Sequence, residues 1–358
     1  MNPAVKPIES AENAVPKRSI IHRTKKIALK GLLSVAILIV TAWCVGGLRC
    51  LDHWLPQWLS VVLAIVFLVC FAVLFAVRRF RRPAMLLLCG TAIGLMVFFQ
   101  TRTPSHDKEW SVGQKQLPAA TIGAGGNTVT MANVRDFIRE GNETKPRYVE
   151  RELDLRQLNS VWLGIDRFAD VEPVAHVFIS FGFLDPASSS TESFIGFSVE
   201  TRREASETEY SPLRGVYNHY ELIYVCATEV DMLSQRSKSA EHAVQLYPVR
   251  ADKTQMKNMF LDIAQRCNAI IEQPEFYHTI RSNCTNNIVA HANHAGTGGI
   301  DMWQRGVIFP GWSDWLAFQY ELIDTDLTLE EARKRFRINE RVMSWDGKTD
   351  FSTYIRER

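Results

Sequence analysis

The 358-residue chain has no Cys-x-x-Cys pair among its seven cysteines, and no Gly-x-Ser-x-Gly, His-Glu-x-x-His or phosphate-loop glycine pattern. The first absence removes thioredoxin-type redox pairs and the common zinc frameworks. The others remove serine hydrolases with a nucleophile elbow, helix-borne zinc peptidases and P-loop nucleotide enzymes. A charge excess of one sign is also missing: 41 Lys and Arg stand against 39 Asp and Glu, a net +2. That balance says little about partners, and no nucleic-acid partner is expected. No internal repeat occurs, and low complexity is confined to the "SSST" tract at 188–191.

Charge is absent altogether from residues 58–77 (WLSVVLAIVFLVCFAVLFAV), and residues 27–48 carry only Lys30. Each run approaches the roughly 20 residues a helix needs to cross a bilayer. A third run, Ala84 to Phe99, is shorter, about 24 Å at a rise of ~1.5 Å per residue. It suits a thin or locally compressed bilayer, with re-entrant or interfacial packing as the alternative. Lys17, Arg18, Arg23, Lys25 and Lys26 precede the first run, and Arg78, Arg79, Arg81 and Arg82 separate the second from the third. Positive loops stay in the cytoplasm. The expected organisation is therefore a cytoplasmic basic tail at 1–26, three transmembrane helices within 27–99, a polar Gly-rich linker at 100–127 and a large external domain at 128–358. The expected location is the bacterial inner membrane, multi-pass, with the large domain in the periplasm.

Within 128–358, strand-like runs come first: "NTVTMANV", "YVEREL", "VWLGI", "AHVFISFGF", "SFIGFSVETR" and "YELIYVCAT". Helix-like runs follow at about 253–272, 284–295 and 328–343. Thr328 with Glu331 three residues on is a capping-box pattern for the last. Strands followed by helices indicate an α+β layer fold. The turn-rich "DPASSST" between two strands indicates a hairpin. Pairing the two apolar faces with the turn near Ser188 sets His176 beside Glu200 and Ser180 beside Gly196.

Cys284 lies in "FYHTIRSNCTNNIVAHANH", where a polar loop turns into a helix-like run. A helix start offers unpaired N–H groups and partial positive charge, which favour thiolate, the nucleophilic form. The face with His176 and Glu200 otherwise carries small residues, which let a helix approach closely. A Cys at the start of such a helix would complete a set of thiol, base and orienting carboxylate. Asn283 and Thr285, either side of the thiol, are candidate oxyanion and supporting residues. The plain alternatives are a small buried filler for Cys284 and an ordinary cross-strand pair for His176 and Glu200. Cys226 and Cys267 remain in the domain and permit one disulfide. His291 and His294 follow Cys284 on one helix, but two ligands make no metal site, and neither metal nor cofactor is expected. Trp303, Trp312 and Trp315 read as packing residues, or as residues at the bilayer interface near a lipid groove.

Five stretches in order resemble the Lnb N-terminal periplasmic domain family: "NVRDF" at 133–137, "AHVFISFGF" at 175–183, "SVETRRE" at 198–204, "YELIYVCATEVDMLSQR" at 220–236 and "FYHTIRSNCTNN" at 276–287. The resemblance covers about residues 128–325. It implies a circularly permuted papain-like thiol fold of the NlpC/P60 type, in which His precedes Cys. It also implies acyl transfer from a phospholipid to the N-terminal amine of a lipoprotein, with Cys284 as nucleophile and His176 as base. Glu200 as third member rests on the strand register. One feature departs from the family pattern: three apolar runs precede the domain here, where in the named acyltransferase the spans follow it. A thiol hydrolase acting on cell wall or lipid, and a non-catalytic membrane-anchored binding module, are the alternatives.

Overall fold

A computed structural model describes residues 17–140, 143–168, 171–207, 209–239 and 241–357. The first sixteen residues of the expected basic tail lie outside that set. The chain divides into two compact units, 1–101 and 102–358.

The first unit holds α1 (Lys17–Arg49), α2 (Gln57–Ala76) and α3 (Arg81–Gln100). All three are long and apolar enough to cross a membrane. The third begins at Arg81, before the apolar run itself, so its 20 residues extend about 30 Å. In the connection between α1 and α2, Arg49 meets Asp52 at 3.3 Å and the Ser60 hydroxyl at 3.0 Å, so the two opposite charges of that loop cancel.

The second unit is a mixed α+β domain. Its strands are β1 (Ala119–Ile122), β2 (Thr128–Arg135), β3 (Ile138–Glu140), β4 (Glu143–Lys145), β5 (Tyr148–Asp154), β6 (Leu158–Arg167), β7 (His176–Asp185), β8 (Ser188–Arg202), β9 (Glu221–Thr228) and β10 (Ala243–Pro248). Its helices are α4 (Glu229–Lys238), α5 (Lys253–Glu272), α6 (Cys284–His294), α7 (Arg305–Ile308), α8 (Ser313–Gln319), α9 (Leu329–Arg335), α10 (Asn339–Ser344) and α11 (Phe351–Tyr354). The main sheet runs β1-β2-β9-β8-β7-β6-β10, with β5 on the other side of β2; β3 and β4 form a separate hairpin. All pairs are antiparallel except β2 with β9.

Alternation along the central strands sorts the core into two layers. Val177, Ile179, Phe181 and Phe183 of β7 join Ile195, Phe197 and Val199 of β8 under α5 and α6. Phe178, with Ile223, Val225 and Ala227 of β9, faces α4, α10 and α11. The β7–β8 register pairs Ser180 with Gly196 and Phe178 with Ser198. At Gly196 α4 packs directly on the sheet: a Cβ there would lie 2.7 Å from the Met232 sulfur.

Two segments differ from their sequence reading for the same reason: a sheet edge attracts cover. Residues 102–127 are not a free linker. They carry β1 and pack Trp110 and Gln114 into the domain, while Asn268 bonds both the N–H and the carbonyl of Ala120. The helix expected over 328–343 breaks into α9 and α10. Between them Phe336 accepts from the Leu246 N–H and Ile338 donates to the Val244 carbonyl, both at 3.0 Å, so residues 336–338 line the β10 edge. The Thr328–Glu331 capping box is formed. Cys226 and Cys267 are free thiols buried in the α5/α6 layer.

Candidate thiol active site

Cys284 is the first residue of α6, and Asn283 builds the helix start. The Asn283 side-chain oxygen accepts from the Asn286 N–H at 2.9 Å while the Asn286 side chain accepts from the Asn283 N–H at 3.0 Å, a reciprocal cap. The Asn283 amide nitrogen is spent as well: it donates to the Thr279 carbonyl at 3.0 Å and to those of Ile308 and Val307 at 3.3 and 3.4 Å. Its side chain therefore has no donor left for an oxyanion, and the backbone N–H groups of the first helical turn are the remaining candidates. Replacing Asn283 by Ala should cost about 1–2 kcal/mol of stability, read as a lowered melting temperature of the full-length protein.

The Cys284 side chain is 3 % exposed. Its sulfur lies 4.0 Å from the Thr285 hydroxyl and against the backbone N–H of Val177. Thr285 in turn meets Ser313 at 3.3 Å. Burial raises the thiol pKa, and the surrounding backbone N–H groups and Thr285 only partly offset it. The resting state is a neutral thiol, not the thiolate expected from a helix start alone, because desolvation outweighs the dipole here.

His176 opens β7, one residue before Val177, and its ring turns to the opposite side of the strand. Its Nε2 is 2.6 Å from the Ser198 hydroxyl. Ser198 donates to Glu200 at 2.8 Å, and the direct separation of His176 and Glu200 is 3.8 Å. Glu200 also accepts from Arg236 at 3.0 Å and from Gln114 at 3.1 Å. Burial alone would raise the Glu200 pKa, but Arg236 first and His176 second override it and hold the carboxylate ionised. Burial and the Arg236 charge push the His176 pKa down to about 4, against the pull of Glu200 and Asp166. The tautomer follows from proton counting. Ser198 has one proton and gives it to a carboxylate, so towards His176 it can only accept. Nε2 therefore carries the ring proton, and Nδ1 keeps the lone pair a base needs.

The structure thus joins His176 with Glu200, through a Ser198 bridge that sequence reasoning missed. It brings the Cys284 thiol to the backbone beside His176. No hydrogen bond joins sulfur and ring among the described residues. The helix over the small-residue face is α4, and α6 packs on the large apolar face instead. The thiol therefore meets β7 at the backbone of its second residue, Val177, at the strand's start, while the His176 ring lies on the other side of the strand. Arg236, the clamp on Glu200, sits within a stretch quoted for the family resemblance, but nothing in its spacing marked it; Ser198 is a strand serine with no local signal.

His291 and His294 share Asp262, at 2.6 and 3.1 Å. Among the described residues, no cluster of three or more potential metal ligands occurs. Arg305 stacks on Trp315 at 4.0 Å and on Trp312 at 5.4 Å, so these two pack as read. Trp303 is 71 % exposed and does not.

These features define a membrane protein whose larger unit presents a buried thiol at a capped helix start, beside a histidine of fixed tautomer. Residues 144–315 match the model of the Lnb N-terminal periplasmic domain family, the family that the sequence stretches resemble. The match covers just under half of the chain, in the larger unit, and the other unit holds three helices long and apolar enough to cross a membrane. His176, Glu200 and Cys284 fall inside the matched segment, and "NVRDF" at 133–137 falls before it. No curated protein and no solved structure matches the chain.

Proposed function

We propose that the protein is a multi-pass inner-membrane cysteine acyltransferase, with 128–358 as its periplasmic catalytic domain in a circularly permuted papain-like fold of the NlpC/P60 type. It would move an acyl chain from a phospholipid to the N-terminal amine of a lipoprotein through an acyl-thioester on Cys284. One observation carries the reading: the Cys284 thiol rests at the start of α6 against the backbone N–H of Val177, the residue that follows His176, whose Nε2 is held by Ser198 and whose Nδ1 keeps its lone pair.

The steps follow from that geometry. The His176 ring swings towards the sulfur, and Nδ1 takes the thiol proton as sulfur attacks the ester carbonyl. Backbone N–H groups of the first α6 turn receive the developing oxyanion. The ester C–O bond breaks, His176 returns the proton to the departing lysophospholipid oxygen, and the thioester remains. An amine then attacks the thioester carbonyl, the amide forms, sulfur leaves and regains a proton through His176. Glu200 and Ser198 keep the ring in one tautomer and stabilise its charged form. A diacyl lipid leaves the bilayer reluctantly, which suits an enzyme tethered by three apolar helices.

The rival is a thiol hydrolase, with water in place of the amine. Full-length protein incubated with phospholipid and a lipopeptide bearing a free N-terminal amine separates them. Lysophospholipid and N-acyl lipopeptide in equal amounts are expected. Free fatty acid with unmodified lipopeptide would establish hydrolysis instead, and unchanged phospholipid would remove both readings.

A further inference from the structure

Beneath α6 lies a cavity between that helix, β6, β7 and α5. It encloses about 760 Å³ outside protein atoms, part of it open to solvent, and the centre of a water molecule can occupy about 80 Å³ of it. Protein interiors normally close such space, and an apolar cavity stays dry and takes apolar ligands.

Three observations say what fits. First, the lining is aliphatic, with Val177, Met259, Ile288 and Ala292 among its walls. Second, its four polar side chains are all turned to other partners. Thr285 and Ser313 bond each other, and Ser313 also donates to Pro310. Thr297 donates to the Ala292 carbonyl, and Gln255 to that of Gly296. A sugar or a peptide would find no hydrogen-bond partner there. Third, one end lies at the thiol: Val177 and Thr285 both line the cavity, and the Cys284 sulfur contacts both. From Thr285 the cavity follows one face of α6 to Ala295, ten residues or about 15 Å, the length of a medium acyl chain in extended form.

We infer that this cavity holds the single acyl chain being transferred, with its carboxyl carbon at Cys284 and its methyl end towards Ala295, so that the small side chains of Ala292 and Ala295 set the accepted chain length. The inference rests on the acyl-thioester reading above.

The test uses full-length wild type, Ala292→Phe and Ala295→Leu, with esters from acetyl to palmitoyl as donors and intact mass as readout. Adding bulk into an existing void spares the fold better than overpacking a filled core, and the two variants fill different depths. Wild type should favour medium chains over both acetyl and palmitoyl. Both variants should lose medium-chain acylation at least tenfold relative to acetyl, Ala292→Phe cutting off at shorter chains than Ala295→Leu. A second arm needs no chemistry: Cys284→Ala should bind a fluorescent medium-chain fatty acid saturably, and Cys284→Ala with Ala292→Phe should not. Equal chain-length profiles in all three proteins, or fatty-acid binding insensitive to Ala292→Phe, would overturn the cavity assignment while leaving the transferase reading intact. Absent acylation with Ala292-sensitive fatty-acid binding would do the reverse.

Discussion

His176→Ala should slow acylation of Cys284 by about 10²–10⁴-fold, the usual contribution of a positioned general base, with the melting temperature little changed. The pH dependence separates a base from a merely structural residue. In wild type the base form of His176 prevails above its depressed pKa of about 4, and the thiol, raised by burial, stays protonated until attack. The rate should therefore be flat across neutral pH and fall as pH drops through about 4, where the ring takes up its proton. In the variant only spontaneous thiolate reacts, so its rate should climb about tenfold per pH unit through the neutral and alkaline range. The same shift acts on stability. Between the ordinary histidine pKa of about 6.5 and the folded value of about 4, the unfolded chain binds the proton and the folded one does not. This histidine thus destabilises the fold progressively as pH falls through that window. A variant rate parallel to wild type at every pH would remove His176 from the chemistry.

Phe260→Ala should cost about 3–5 kcal/mol, a large fraction of the stability of a domain. Phe260 of α5 is fully buried. Its ring meets Phe181, Phe183 and Phe197 edge-on, with centroids 5.1, 5.6 and 5.5 Å away. Such pairs add to the area they bury, and truncation leaves a cavity lined by three rings. The urea midpoint of the domain transition should fall with its slope unchanged. A loss under about 1 kcal/mol would mean that the layer repacks around the gap, contrary to the tight packing of interiors.

What was legible in the sequence was local. The alternation of "AHVFISFGF" and "SFIGFSVETR" set the parity of the β7–β8 hairpin, and the observed pairing of Ser180 with Gly196 follows from it. The polar loop before Cys284 marked the start of α6, because Asn and Ser at that boundary hydrogen-bond backbone that the helix leaves open. Which helix covers which face was not legible. Small residues on the His176 face invited close approach, but α4 took that face and α6 the other, since choosing between two helices is a matter of packing across the whole domain. Ser198 and Arg236 were missed for a related reason: a serine in a strand and an arginine on a helix look alike whether they meet solvent or a buried carboxylate. The break between α9 and α10 was hidden because residues 336–338 obey an unpaired strand edge more than their own helical pattern.

The central claim is that Cys284 carries the acyl chain as a thioester. Full-length protein, incubated with phospholipid without an amine acceptor, quenched in acid and digested, gives a peptide containing Asn283, Cys284 and Thr285. That peptide should gain the mass of one acyl chain, lose it to hydroxylamine at neutral pH, and show neither change in Cys284→Ala. An unmodified peptide while lysophospholipid accumulates, or an acyl group found on another side chain, would contradict the account.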